Sequence, residues 1–127
     1  TSGVDARALA YFVRNMNNIV ALNRSRNIRT ILIPQVMNFE HFKPDEQVRP
    51  WTPFLAVAAQ KEVLSAYHRA LDDLADDDVP VLNGVLTQDW RKEHFNDEGL
   101  FTPAGSALFA AAMAEEIAAL CRSAPRE

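Results

Sequence analysis

The sequence has one cysteine, four glycines, no surplus of basic residues and no unbroken apolar run of the roughly 18 residues that a spanning helix needs. Each shortage excludes something. Cys121 has no partner for an internal disulfide, and beside Leu120 in a helical pattern it reads as a small apolar side chain. Four scattered glycines make no phosphate-cradling loop, and His41, His68 and His94 are too far apart to form a metal set with a lone thiol. No cofactor and no metal are therefore expected, and the acid run Asp76, Asp77, Asp78 reads as a solvated helix end rather than a cation site.

A formal charge of -4, with 13 Lys and Arg spread along the chain, offers no basic field to a phosphate backbone, so nucleic acid is not expected as a partner. The most apolar stretch, "ALFAAAMAEEIAAL", is interrupted by Glu115 and Glu116, and the reading is a soluble chain without a membrane span. The sequence begins at Thr1 without a methionine or a charged-then-apolar leader, so processing or truncation upstream stays open and neither a signal peptide nor the compartment can be read.

What is present is core material: 48% of 127 residues are hydrophobic, enough for one folded unit over residues 1–127. From Ala6 to about Ser25, Leu9, Phe12, Val13, Met16, Ile19 and Val20 recur at helical steps. The run Thr30, Ile31, Leu32, Ile33 follows without polar alternation and reads as a strand covered on both faces. Residues 37–53, rich in Pro and aromatics, read as a long loop carrying His41, Phe42 and Trp51, the candidate substrate cover. A second helix is expected over about Phe54 to Leu74, and a second buried strand over "VPVLNGV", residues 79–85. Thr102 as N-cap and Pro103 at the first helical position open a last helix, with Leu108, Phe109, Met113, Ile117 and Leu120 as its buried stripe.

Helices alternating with buried strands predict an α/β fold, a three-layer α/β/α arrangement around a parallel sheet of the flavodoxin-like kind. Two strands are few for a sheet, so the chain reads as the C-terminal part of a larger unit whose other strands lie upstream or on a partner chain.

Both loops leave strand ends where α/β folds hold ligands, and the second carries His94 and Asp97. The string "FNDEGLFTPAGSALFAAAMAEEI" resembles the last block of the SGNH, or GDSL-type, hydrolase family, in which Asp-x-x-His precedes a Ser/Thr, a glycine and a Leu/Ala-rich helix. "YFVRNMNNIVALNRSRNIRTILIPQV" and "AYHRALDDLADDDVPVLNGV" are similar to the family's preceding helix and strand segments. The resemblance places Asp97 at the catalytic Asp, Thr102 and Gly105 at the following positions, and Leu100 where the catalytic His belongs. The family's Gly-Asp-Ser nucleophile block, glycine block and Gly-x-Asn-Asp block have no counterpart here.

The resemblance implies a serine ester hydrolase of esterase, lipase-like or acetylesterase type, acting on acyl or acetyl esters. Asp97 would come from this chain and the nucleophilic serine from an upstream segment or a complementary chain. Leucine cannot accept a proton, so the chain by itself is expected to be inactive, with His94 as the one substitute base in the same loop. The alternative is a degenerate triad, that is, a non-catalytic binding or interaction module in which Leu100 makes the pocket apolar. On the residues alone, His94 is a surface loop histidine, His68 a helix-surface residue, and Asp97 an acid favoured near a helix N-terminus. No serine lies in a nucleophile-elbow context. A receiver-like signalling domain fits less well, because its paired acids and late lysine have no place here.

Overall fold

A computed structural model describes residues 3–39 and 55–123 of the chain. Among the described residues three α-helices carry the architecture: α1 over Ala6–Ser25, α2 over Val57–Asp72 and α3 over Pro103–Ser123, with short 3₁₀ turns at Asn83–Thr87 and Lys92–His94. The chain's contacts group into two units, Thr1–Gln35 with Thr52–Val81, and Val36–Trp51 with Leu82–Glu127.

In the first unit α1 begins where the Asp5 carboxylate accepts the Arg7 and Ala8 amides, at 2.8 and 3.1 Å. Two of the otherwise orphaned N–H groups of the first turn are thereby satisfied. The helix ends in a Schellman arrangement: the Ile28 amide donates to the Asn23 carbonyl, the Asn27 amide to that of Arg24, and Asn27 takes a φ of 56°. α2 is shorter than the sequence pattern, and its buried positions are Gln60, Ala66, Ala70 and Leu71. Val20 of α1, Leu71 of α2, Leu32 and Val79 form the core, with Phe12, Met16, Leu74 and Val81 packed around them. Phe12 meets Tyr67 edge-on at 4.8 Å between ring centroids.

The expected sheet is not there. Among the described residues no β-strand forms, so the chain is mostly helical and the three-layer α/β/α parallel-sheet fold is overturned. The SGNH- or GDSL-type, esterase and lipase-like α/β reading loses its architectural ground with it. The two stretches read as strands do meet, at one parallel bridge between Leu32 and Val81, where the Leu32 amide donates to the Pro80 carbonyl at 3.0 Å. A ladder cannot grow from that point because Pro34 and Pro80 have no N–H to give. Beyond the bridge, Val79 turns back onto Asp76 and Asn83–Thr87 coils into a 3₁₀ turn. Nor is the first stretch covered on both faces: Thr30, Leu32, Pro34 and Val36 are buried while Ile31, Ile33 and Gln35 are exposed, the alternation of a half-covered extended segment.

In the second unit α3 starts as its sequence predicts, with Thr102 Oγ1 accepting the Gly105 amide at 3.2 Å and Pro103 at the first helical position. Met113 is buried with Val36, Leu82, Val85 and Phe95. Phe109 and Leu120 are half-buried against that core, whereas Ile117 of the expected stripe is exposed. Cys121 is exposed too, not packed as its sequence neighbours suggest. By length and composition, the stretch Pro103–Arg122 is apolar enough to cross a bilayer, and little of it is buried. The expectation of a chain without a membrane span therefore finds no support in the structure.

Candidate functional site

The segment that carries the Asp-x-x-His resemblance lies in the second unit and is closed by its own backbone. Phe95 and Phe101 face each other across an antiparallel bridge, and between them the Asn96 amide donates to the Leu100 carbonyl at 2.7 Å. Asn96 Nδ2 adds a bond to the Phe101 carbonyl at 3.1 Å. Inside this loop Asp97 Oδ1 accepts the Gly99 amide at 2.8 Å and the Leu100 amide at 2.7 Å, an Asx-turn that ties the carboxylate to its own chain.

The loop is held against α3 by a second set of bonds. The Thr102 amide donates to the His94 carbonyl at 3.0 Å, and Thr102 Oγ1 donates to the Glu93 carbonyl at 2.8 Å. Gly105 lies against the same carbonyl. A Cβ there would fall inside van der Waals contact of the His94 oxygen and 2.9 Å from its carbon. The glycine thus serves close approach of the helix start to the loop, and no positive φ is involved.

An aromatic group supports the loop from beneath. Trp90 stacks on Phe101, 5.1 Å between centroids and 7° between planes, and its indole N–H donates to the Val85 carbonyl at 2.7 Å. Phe95 and Phe109 continue the packing around Phe101.

Leu100, at the position expected to hold an imidazole, is 57% exposed. His94, the substitute base, has its ring turned to its own 3₁₀ turn: Nδ1 accepts the Arg91 amide at 3.0 Å, and the ring meets Trp90 edge-on. His68 is half-buried, its Nε2 bonded to the Gln35 carbonyl at 2.9 Å; because a carbonyl only accepts, Nε2 carries the proton. His41, Phe42 and Trp51, the residues expected to cover a substrate, lie outside the described residues. Among the described serines, Ser25 donates its hydroxyl to the Leu22 carbonyl, and Ser65 and Ser106 are exposed on helices.

Two residues beside the turn escaped the sequence reading. Asn38 donates its amide to the Glu98 carbonyl at 2.8 Å, and both residues are buried. Among the described residues Asn38 Nδ2 is buried without a hydrogen-bond partner, which costs on the order of 1–3 kcal/mol. Nothing in the string "QVMNFE" marks Asn38 as buried; only the fold brings it to the turn.

Elsewhere, in the first unit, a cleft of about 180 Å³ opens at the end of α1, lined by Arg24, Asn27, Arg29 and Asp78 among others. Arg24 is already paired with Asp76 at 2.6 Å, with Asp78 at 4.0 Å, so its charge is matched within the protein. The hydrogen bond from Arg24 holds the Asp76 carboxyl below the ordinary carboxylate range. Asp76 also accepts the Asp78 amide, so the acid run has a structural part in its turn. Among the described residues no three His, Cys, Asp or Glu side chains come together as a metal set. Comparison of the chain with protein-family models, with characterised proteins and with solved structures finds no match.

Proposed function

We propose that this chain is a non-catalytic binding or interaction module, in which the turn 94–105 keeps a shape suited to an Asp-His pair but serves recognition instead of acid–base chemistry. The observation that carries this reading is the engagement of Asp97: one oxygen of its carboxylate, Oδ1, accepts the Gly99 and Leu100 amides, and no imidazole stands at position 100. The residue at the base position is an exposed leucine, which binds no proton at any pH. His94 spends Nδ1 on the Arg91 amide, the nitrogen through which a base is usually held by its carboxylate. Asn38 Nδ2, buried and without a partner among the described residues, is the kind of group that a ligand acceptor satisfies.

The test is reaction of the purified chain with a fluorophosphonate probe, alongside hydrolysis of a short-chain aryl ester. The expected result is no serine labelling and no hydrolysis above that of the Asp97→Ala variant. Labelling of one serine, lost in Asp97→Ala, would instead establish an ester hydrolase that uses Asp97 and would overturn the proposal.

A further inference from the structure

In the first unit, no described residue pairs with the outward backbone groups of Ile31 and Ile33. Around Leu32, residues 29–36 alternate between buried and exposed: Leu32 is 4% exposed, Ile31 37% and Ile33 40%. The Leu32 amide points to the Pro80 carbonyl. In an extended chain the amides and carbonyls of neighbouring residues point the opposite way, so those of Ile31 and Ile33 face outward. Among the described residues neither has a hydrogen-bond partner. Pro34 lies in the inward-pointing register, so its missing N–H spoils the covered edge and leaves the outer one intact. Ile28, just before this segment, is exposed as well.

We propose that this edge is a self-association surface, on which the same segment of a second copy of this chain docks antiparallel. The occupant follows from the sequence of the edge. Ile31-Leu32-Ile33 reads the same in both directions, so a two-fold axis through Leu32 sets each Ile31 opposite the copy's Ile33. Both outward pairs then exchange their N–H···O bonds, β-branched side chains meet on the exposed face, and Arg29 faces Gln35 with no like charges opposed. The pairing stops at Gln35, whose carbonyl takes His68 Nε2. An unguarded edge with apolar side chains is the ordinary template for strand addition. So short an edge gives a weak dimer. The inference is independent of the reading of residues 94–105.

Sedimentation equilibrium from micromolar to millimolar chain, with amide exchange followed by NMR, tests it. Expected are a dimer fraction that rises with concentration and exchange at Ile31 and Ile33 that slows with it, while the already bonded Leu32 amide is unchanged. Ile33→Pro, which removes an outward donor, and Ile31→Lys, which places charge on the edge, each weaken the dimer by about tenfold or more, as the loss of one or two net hydrogen bonds requires. Far-UV circular dichroism confirms that both variants keep their helices. A chain that stays monomeric, with exchange at Ile31 and Ile33 independent of concentration, overturns the proposal. So does a dimer that two folded variants leave unchanged.

Discussion

Replacing Gly105 by alanine tests how the helix start and the Asp97 loop depend on each other. The new methyl group meets backbone: it lies on the His94 carbonyl, 2.9 Å from its carbon and 3.2 Å from its Cα. Ordinary carbon–carbon contact is about 3.5–4.0 Å and the carbonyl oxygen is nearer still, so α3 must retreat by roughly 1 Å or more. That shift strains the bonds from Thr102 to His94 and Glu93 together. Overpacking of this kind costs about 1–3 kcal/mol, and one weakened hydrogen bond adds about 1 kcal/mol, giving roughly 2–4 kcal/mol in all. In urea this is a midpoint lower by about 1–2 M.

Gly84→Ala is the matched control, since its methyl would meet the carboxylate end of Glu116, a side chain that can swing away. Its effect is expected within about 1 kcal/mol of zero. Denaturation followed by circular dichroism reads both variants. If Gly105→Ala lies within about 0.5 kcal/mol of the parent, or Gly84→Ala costs as much as it does, the close-approach argument fails.

Trp90→Phe keeps the ring stack but strands the Val85 carbonyl, so a loss of about 1–2 kcal/mol is expected by the same denaturation assay, with Trp90→Ala costing about 3–5 kcal/mol. At the Schellman turn, Asn27→Ala is expected to destabilise by about 1 kcal/mol because alanine resists a positive φ, while Asn27→Gly is tolerated. Asp76 gives a pH signature: its folded-state pKa lies below the unfolded one, so its contribution is present above the ordinary carboxylate range and is lost as pH falls through the folded value. Asp76→Asn is expected to remove that component of the acid transition. The effect is small and salt-sensitive, because both partners of the Arg24 pair are about half exposed.

Helices were legible where local chemistry specifies them. The period of α1 runs from Ala6 to Ser25 as read, and the Thr102-Pro103 pair marks the first turn of α3. The strands were not legible, because Ile31-Leu32-Ile33 and Val79-Pro80-Val81 signal extended backbone and say nothing of how many neighbours are available to pair with it. Pro34 and Pro80 decide that the meeting ends at one bridge. The position of Asp97 in a tight loop before a helix was readable, yet its engagement with the Gly99 and Leu100 amides depends on loop geometry that residue spacing does not carry. Asn38 had no signal, since its burial comes from residues some sixty positions away in the chain, around Glu98.

The central claim, that an Asp97-centred turn survives without its base, is tested most directly by fluorophosphonate labelling of the parent chain and of Leu100→His side by side. Neither protein is expected to label, because Asp97 Oδ1 is held by two backbone amides and no described serine stands in a nucleophile's position. Labelling of a single serine in the parent chain, which lacks a base at position 100, would contradict it.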